Sequence, residues 1–555
     1  MRFPAIRPHL SVLLSGCLLF GMPLTGKSQV QCAEPLSLAT PTPAGRVGWQ
    51  KFPDFTLPFT IVYAAPRMGD TQASPLRHGF SHIARVQENE YLAGLVPPKQ
   101  RALDWYGFAF DLKQPWETLL SPWGNDTLAY QAKWDQFLIG LSGGQTNSQG
   151  RYIIPLSILS VDIERFLPTD DRILRLKQDP AIPQVYRSLS DAEFLRAYKR
   201  DMTNLYASGL RYIRRKADLT GIPLTTYSDT PIRNTWFNVT GNSWNDWRTN
   251  PERVSFLVKD QATNRVGGPF YEQLDVLAPS AYYYYDYPSP LAGDYLAYML
   301  FQIEVNRAWS NKPVIPYVWM RYHDCCGNHP RFIQPFMAEA TAIFPFFSGA
   351  RGLWFWDHID NPTDNYSAYE HFIHGLYRLS RFADMFTGNY ELVISKSARD
   401  HMEERTSIWR GVVKGNKILI AAHNPYADDN QTTLIPVQYG SWQTNITLKG
   451  REVYLCQFEL SDVQTSPKEL AITNLNLFPN PASAQANVWF ERTETQPLVI
   501  TVVDLLGRTV LSQPVAPGET YVREILSVQH LPPGMYTVVI SDGTARQTRK
   551  LIIAR

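Results

Sequence analysis

This chain of 555 residues has little of several features that would define its class. It holds only five cysteines, and its formal net charge is +2 at pH 7. That charge falls close to zero without the basic residues of the N-terminal leader, which favours neither a nucleic-acid partner nor a charged membrane surface. After the leader, no stretch is apolar enough to cross a bilayer. The sequence therefore predicts no nucleic-acid partner and no transmembrane segment.

Cysteine is scarce, and its spacing does not fit a metal site. Cys325 and Cys326 are adjacent and lack the spacing of zinc-binding pairs, while residues 323–329 follow a predicted strand as a rim loop. We expect no metal and no cofactor. Four cysteines remain after removal of the leader, and the sequence does not choose among their three possible disulfide pairings. These cysteines are Cys32, Cys325, Cys326 and Cys456.

The N-terminus predicts export. Arg2 and Arg7 precede an apolar core over residues 10–24, and a polar stretch with small residues follows it. That core is too short to span a membrane, and this order of segments is typical of a secretory signal peptide. We assign residues 1–28 as a signal peptide, with cleavage near Ser28 or Gln29.

Residues 45–387 alternate strand and helix patterns. Apolar runs predict strands at 57–63, 102–110, 137–140 and 154–163, and again at 222–227, 274–285, 313–321 and 349–357. Between them, Ser190 and Glu193 form a capping-box start for a long amphipathic helix. Such alternation predicts a (β/α) TIM-like barrel of seven or eight strands.

The rest of the chain has short strands and polar turns. Residues 388–465 predict an all-β accessory domain, residues 466–475 a linker, and residues 476–555 a small β-sandwich. The predicted fold class is therefore multidomain: a (β/α) TIM-like barrel followed by two small all-β sandwich-type modules.

The last block carries three spaced motifs. They are a Pro-Asn-Pro start ending at Pro481, a Leu-Gly-Arg turn ending at Arg508, and a Leu-Pro-Pro-Gly-Met-Tyr strand ending at Tyr536. This spacing resembles the type IX secretion C-terminal sorting domain of Bacteroidetes bacteria. The resemblance implies that the type IX machinery is a partner, that the protein is secreted or held at the cell surface, and that the module is removed there.

Two carboxylates end the apolar run at 154–163. Asp162 and Glu164 are two residues apart, so on a strand both side chains point to the same face. In a parallel α/β barrel, the C-terminal ends of the strands carry the chemistry. A close Asp would also raise the pKa of the Glu, as a general acid near neutral pH requires. This pattern favours glycoside hydrolysis in which the substrate's own 2-acetamido group attacks.

The barrel also resembles the hyaluronidase-type glycoside hydrolases and, more distantly, the chitinase-type ones. The resemblance rests on Val161-Asp-Ile-Glu164, Leu57-Pro-Phe, Ala278-Pro-Ser-Ala-Tyr282 and the strand that ends at Trp356. It implies that Glu164 is the acid and that Asp162 orients the acetamido group. It also implies that Tyr227 and Tyr282 line the cleft and that Trp356 lies under the sugar. The chain departs from the family at Ile163, where the family has Trp, and lacks its framework cysteines.

Other residues and other functions stay open. Tyr284 shares a strand face with Tyr282, and Asp229 and Asp357 lie near the predicted rim, so all three are candidate substrate contacts. Asp229 or Asp357 would instead be the nucleophile of a glycosidase acting on another sugar. A third possibility is a non-catalytic surface glycan-binding protein, since the 13% aromatic content suits carbohydrate platforms and large secreted β proteins alike.

Overall fold

The computed structural model describes most of the chain after the leader. The described residues are 30–33, 35–69, 71, 73–85, 94–105, 121–163, 167–233, 238–323, 330–460, 468–470, 472–492, 497–504, 508–518, 520–542 and 545–555. Several predictions fall outside them: the signal peptide at 1–28, the acid Glu164, the cysteines Cys325 and Cys326, and most of the 323–329 loop. Part of the linker at 466–475 also falls outside.

Up to residue 387, the described part of the chain alternates strands and helices. The strands are β1 (Val30–Cys32), β2 (Thr60–Ala64), β3 (His82–Ile83), β4 (Ala102–Trp105), β5 (Tyr152–Ile153), β6 (Ile158–Val161), β7 (Ala217–Asp218), β8 (Leu224–Thr226), β9 (Lys259–Asp260), β10 (Arg265–Val266), β11 (Tyr317–Val318) and β12 (Gly352–Trp356). The helices are α1 (Ala73–Arg77), α2 (Thr127–Ser142), α3 (Asp170–Arg175), α4 (Gln184–Arg187), α5 (Asp191–Lys216), α6 (Trp244–Thr249), α7 (Gly268–Tyr271), α8 (Tyr295–Trp309), α9 (Pro335–Phe347) and α10 (Ser367–Ser380).

Two larger parallel sheets lie within this region, besides the short parallel pair of β5 and β7. One has the order β11-β12-β2-β3 and the other β4-β6-β8. Single parallel bridges connect them: Ile83 pairs with Arg101, Tyr227 pairs with Ala278, and Ser280 pairs with Tyr317. The predicted strand at 274–285 is therefore present only as isolated bridges. Because the pairings within these two sheets and the bridges between them are parallel, the C-terminal ends of β2, β6, β8 and β12 point the same way.

Helix α5 confirms the predicted capping box. The Oγ of Ser190 accepts a hydrogen bond from the N–H of Glu193, and the Glu193 carboxylate accepts one from the N–H of Ser190. Both bonds satisfy backbone donors that the first turn of a helix leaves unpaired. The apolar face of α5 is buried, with Phe194, Tyr198 and Leu210 fully covered.

The predicted strand at 137–140 is wrong. These residues lie inside helix α2, whose N-cap Asp126 accepts hydrogen bonds from the N–H groups of Leu128 and Ala129. Phe137 stacks on Trp105 at a centroid distance of 3.8 Å. A short apolar run does not distinguish a strand from the buried side of a helix, and here helix capping and packing against β4 decide.

Antiparallel strands follow residue 387. They are β13 (Glu391–Val393), β14 (Ile408–Lys414), β15 (Lys417–His423), β16 (Thr432–Tyr439), β17 (Trp442–Lys449) and β18 (Val453–Glu459), with helix α11 (Ala398–Glu404) between the first two. The N-terminal strand joins four of them in a sheet of order β1-β18-β15-β14-β13, while β16 and β17 form a separate two-stranded sheet. A disulfide links Cys32 to Cys456 across β1 and β18. The structure thus identifies one pairing that the sequence left open.

The last strands form two further sheets. They are β19 (Lys468–Glu469), β20 (Ile472–Phe478), β21 (Gln485–Arg492), β22 (Leu498–Val503), β23 (Thr509–Val515), β24 (Tyr521–Ser527), β25 (Gly534–Ser541) and β26 (Ala545–Ile553). Their orders are β19-β26-β25-β22-β23 and β20-β21-β24. A hydrophobic cluster of their own residues lies between them, separate from the core of the first 460 residues. The chain is a multidomain protein of sheets and helices.

Candidate active site

Alternate residues of the parallel strands meet in one cluster. On β2, Ile61 and Tyr63 pack outward, toward the helices, while Val62 packs inward. Val62 lies in register with Trp354 of β12, and Trp354 with Tyr317 of β11. We call the inward set the inner cluster. Its buried apolar members are Val62, Ala64, Ala84, Ala102, Ile158, Tyr227, Ala278, Tyr282, Tyr317, Trp319 and Trp354.

Asp162 lies on the same side as this cluster. Ile158 belongs to the inner cluster, and a strand's two-residue period places Ser160 and Asp162 on that face too. The Ser160 Oγ lies 2.8 Å from the Tyr317 Oη, which fixes this orientation. Asp162 is 4% exposed, and its N–H donates to the carbonyl of Trp105. The structure therefore places Asp162 just after the C-terminal end of β6, beside the inner cluster. Glu164 lies outside the described residues.

Three predicted aromatic residues form a continuous row. The ring of Tyr227 stacks on Tyr282 at 5.8 Å, and Tyr282 stacks on Trp356 at 5.6 Å. The Tyr227 hydroxyl donates to the Ser280 Oγ at 2.9 Å. We call Tyr227, Tyr282 and Trp356 the aromatic row. It lies at the strand ends, where Trp356 stays partly exposed.

The row has further neighbours, and two of them, Trp319 and Asp104, were not predicted from the sequence. Trp319 meets both Tyr282 and Trp356 edge-on, at 5.6 and 5.0 Å. His358 lies 5.0 Å from Trp356 and is exposed. Asp104 lies in register with Ser160 on the neighbouring strand, which adds a second carboxylate on the inner face. Strand alternation from Tyr317 and from Ala102 was the signal that could have found Trp319 and Asp104.

Tyr284 is not part of the row. Its ring lies 4.9 Å from His323 and 6.4 Å from Tyr298, and only 1% of it is exposed. Residues 281–285 lie in no strand, so Tyr284 does not alternate with Tyr282 as expected and does not join the same stack. Its contact with a sugar at the row stays a prediction.

Asp229 is buried near the end of β8. It follows Ser228, whose φ is +65°, and is 1% exposed. Burial raises the pKa of the Asp229 carboxyl, and the Arg233 guanidinium, 3.5 Å away, lowers it in part. A raised pKa suits an acid or a neutral hydrogen-bonding group better than an ionised nucleophile.

Asp357 belongs to a buried ion pair. One carboxylate oxygen accepts from the Arg321 Nε at 2.9 Å and from the Tyr369 hydroxyl at 2.7 Å, and the other accepts from the Ile359 N–H at 2.9 Å. The residue has no exposed surface. Its predicted contact with substrate stays a prediction, and it would require these donors to be displaced.

One histidine–carboxylate cluster has the composition of a metal site. Potential ligand atoms of Glu339, His371 and His374 lie within 4.8 Å of one another. However, the Nε2 of His374 accepts the N–H of Leu36 at 3.0 Å. A neutral ring then carries its proton on Nδ1, the nitrogen 3.3 Å from the Glu339 carboxylate, so neither nitrogen offers a lone pair to a metal. Arg378 also donates to the Glu339 carboxylate at 2.6 Å, so a cation already occupies this position. The contacts indicate an ion-pair cluster that holds the N-terminal segment.

Comparison with known proteins identifies the C-terminal module. Residues 476–554 match the family described as Secretion system C-terminal sorting domain. This match confirms the predicted sorting domain and marks the protein as exported through type IX secretion to the cell surface or out of the cell. In the described part of the chain, no helix combines the length and the apolar character needed to cross a membrane.

Solved structures resemble the chain at low identity. Bee venom hyaluronidase is 14% identical with a TM-score of 0.40, over 58% of this chain and 99% of the enzyme. The same enzyme in complex with a hyaluronic acid tetramer is 16% identical with a TM-score of 0.34, over 49% of this chain and 82% of that one. A glycoside hydrolase family 30 xylanase from Clostridium acetobutylicum is 12% identical with a TM-score of 0.17, over 59% and 92%. A search of curated protein sequences finds no match.

Proposed function

We propose that the protein is an exported glycoside hydrolase that cleaves an N-acetylhexosamine-containing glycan, which is hyaluronan-, chondroitin- or chitin-like. The observation that carries the proposal is the position of Asp162 on the inner face at the end of β6, on the side where the aromatic row lies. A carboxylate beside stacked aromatic rings at the strand ends suits a sugar-cleaving site, because barrel chemistry occurs at these ends and ligand pockets combine aromatic walls with a few polar groups.

The proposed scaffold is a (β/α) barrel over residues 45–387. The parallel bridges from β3 to β4, from β8 to Ala278 and from Ser280 to β11 support it. The inner cluster supports it as well, because it takes inward residues from both parallel sheets. We assign residues 388–465 to an accessory domain, and residues 476–555 to an export signal that is removed at the cell surface.

The proposed mechanism retains the configuration of the sugar. Glu164 protonates the glycosidic oxygen while the carbonyl oxygen of the 2-acetamido group attacks the anomeric carbon, which breaks the bond to the leaving group and forms a cyclic oxazolinium ion. Glu164, now ionised, then takes a proton from a water molecule as that water opens the ring. Asp162 holds the acetamido N–H and stabilises the positive charge. Trp356 and Tyr282 support the sugar ring, and Tyr227 shapes the floor.

The decisive experiment compares wild type with Glu164→Gln and Asp229→Asn. Reducing ends are measured on hyaluronan, chondroitin, chitin oligomers and peptidoglycan. We expect Glu164→Gln to lower kcat by roughly a thousandfold, the size of a general-acid contribution, on the glycan that wild type cleaves. A thiazoline mimic of the cyclic intermediate should inhibit wild type.

Each other outcome contradicts a defined part of the proposal. Activity that survives in Glu164→Gln but disappears in Asp229→Asn would assign the chemistry to Asp229 and to another mechanism. Tight glycan binding without release of reducing ends by wild type would favour a surface glycan-binding protein. The aromatic row alone would serve such binding.

A further inference from the structure

A cavity lies close to the aromatic row. Its volume is about 250 Å³, and it is enclosed by the segment after Tyr282, by the beginning of α8 and by the end of α11. Cavities that enclose drug-sized ligands measure roughly 300–1,000 Å³. This cavity is therefore of a size for one ring rather than for an extended molecule.

Four tyrosines form one wall of the cavity. Tyr298 lies 5.8 Å from Tyr283 and 6.4 Å from Tyr284, and Tyr283 meets Tyr285 edge-on at 6.0 Å. Tyr283, Tyr284 and Tyr298 are buried, whereas Tyr285 is partly exposed. The hydroxyl of Tyr283 donates to the carbonyl of Leu291, which holds the wall in place. Tyr285 is thus the ring that a ligand can reach.

Charged side chains complete the cavity. Asp294 accepts a hydrogen bond from Tyr426 at 2.8 Å, Glu403 pairs with Arg399, and Arg405 projects from the end of α11. Arg399 and Arg405 match the two carboxylates in number, so neither an acidic nor a cationic ligand meets an excess of opposite charge here. Carboxylates accept, and guanidinium groups donate, hydrogen bonds of the kind that sugar hydroxyls make. The lining therefore favours a neutral polyhydroxylated ring with one apolar face.

The cavity and the aromatic row share a neighbouring ring, His323. His323 lies 4.9 Å from Tyr284, which lines the cavity, and 6.1 Å from Tyr282, which belongs to the row. Tyr282 and Tyr284 are two residues apart, a span of at most about 7 Å of extended chain. A glycan on the row can therefore reach the cavity with a nearby sugar unit.

We propose that this cavity is a second sugar subsite that binds an uncharged pyranose of the same glycan chain. In a chain that alternates acidic and neutral sugars, that unit is the N-acetylhexosamine. The pyranose stacks its C–H face on Tyr285, and its hydroxyl groups bond to Asp294, Glu403 and Arg405. This proposal rests on the proposed function, because it requires a glycan at the aromatic row.

The test measures binding without turnover. Full-length Glu164→Gln protein is titrated calorimetrically with hyaluronan and chitin oligosaccharides of two to ten sugar units. Two further variants are made in this background: Tyr285→Ala, which removes the exposed ring, and Leu291→Trp, which fills the cavity. Tyr390→Ala is the matched control, since Tyr390 is also partly exposed but lines a different cleft, beside Arg351. Thermal unfolding identifies any variant that does not fold.

We expect both variants to lose roughly tenfold in affinity for long oligosaccharides, the size of one aromatic contact. The loss should be much smaller for disaccharides, and Tyr390→Ala should bind like the parent. An equal loss at every chain length, or no loss in a folded variant, would overturn the subsite. If no oligosaccharide binds, both the subsite and the proposed function are overturned. If wild type releases reducing ends but the two variants lose no more affinity for long oligosaccharides than for disaccharides, only the subsite is overturned.

Discussion

Two tryptophans on one face of β12 differ in burial and in role. Trp354 is 2% exposed and stacks on Tyr317 at 5.0 Å inside the inner cluster, whereas Trp356 is partly exposed at the strand end. The same residue type thus contributes to the core at one position and remains accessible to solvent two residues later.

We expect Trp356→Ala to raise KM roughly tenfold, because one stacking surface for the sugar is lost. Its unfolding midpoint should change little. Trp354→Ala should instead lower the free energy of unfolding by about 3–5 kcal/mol, since it leaves a large cavity. Steady-state kinetics and denaturant titration measure the two effects. A Trp356→Ala variant with unchanged KM would remove this residue from the site.

Single residues show how far strand periodicity carries a prediction. The positions of Asp162, Trp354 and Trp356 on the inner face follow from a two-residue period, which local backbone geometry sets. The hydrogen-bond partners of Asp357 do not follow from such a period. Arg321 and Tyr369 lie 36 and 12 residues away along the chain, and no local pattern indicates that they converge.

A buried ion pair connects α8 to β14. The Glu304 carboxylate accepts from the Arg410 guanidinium at 2.8 and 3.1 Å, from Ser348 at 2.9 Å and from the N–H of Ala398 at 2.8 Å. Arg410 has no exposed surface. The predicted barrel and the predicted accessory domain therefore share a buried polar contact.

We expect Glu304→Gln to destabilise the protein by about 3–5 kcal/mol, because it leaves a buried guanidinium without its counter-charge. Chemical denaturation measures this change. Asp54→Asn is the control, since it breaks an ion pair with Arg77 in which both side chains are exposed, and it should cause no measurable change. Equal stability of the two variants would contradict the role of the buried pair.

The strand β15 ends at a buried histidine. Its Nε2 accepts from the Tyr295 hydroxyl at 2.7 Å, and its Nδ1–H donates to the carbonyl of Glu452 at 3.0 Å, so His423 is neutral. Burial lowers the pKa of His423 to about 4 from an ordinary value of 6.5. The unfolded chain therefore takes up a proton between these two pH values while the folded protein does not.

We expect the free energy of unfolding to fall as the pH drops from about 6.5 to about 4, with His423 contributing about 3 kcal/mol of that loss. His423→Gln should be less stable at pH 7 but should show a smaller fall on acidification. Denaturant titrations at several pH values measure both slopes. Parallel curves for the two proteins would show that His423 is not the group responsible.

At the scale of the whole molecule, the N-terminal segment contacts two distant parts of the fold, strand β18 and helix α10. Strand β1 pairs with β18, and the Cys32–Cys456 disulfide spans 424 residues of sequence. Further along, Glu370 of α10 accepts hydrogen bonds from the N–H of Gly48 and from Lys51, at 2.8 and 2.7 Å. The segment thus ties the sheet that contains β18 to helix α10.

We expect the double variant Cys32→Ser with Cys456→Ser to lose about 2–4 kcal/mol of stability, because the cross-link restricts the unfolded chain. Limited proteolysis should then cut faster before residue 50. Reduced wild type should match the variant, while reductant should not change the variant itself. Equal unfolding midpoints for oxidised wild type and the variant would contradict this expectation.

The sequence alone determined those features that depend on residues close together in the chain. They are the inward position of Asp162, the capped helix after Ser190, and the sorting domain at 476–554, each of which follows from local spacing. Tertiary structure decided the rest: the aromatic row, the Cys32–Cys456 pairing, the ion pair of Asp357 and the helix at 137–140. Each depends on contacts between distant segments, and these contacts arise only once register and packing are set.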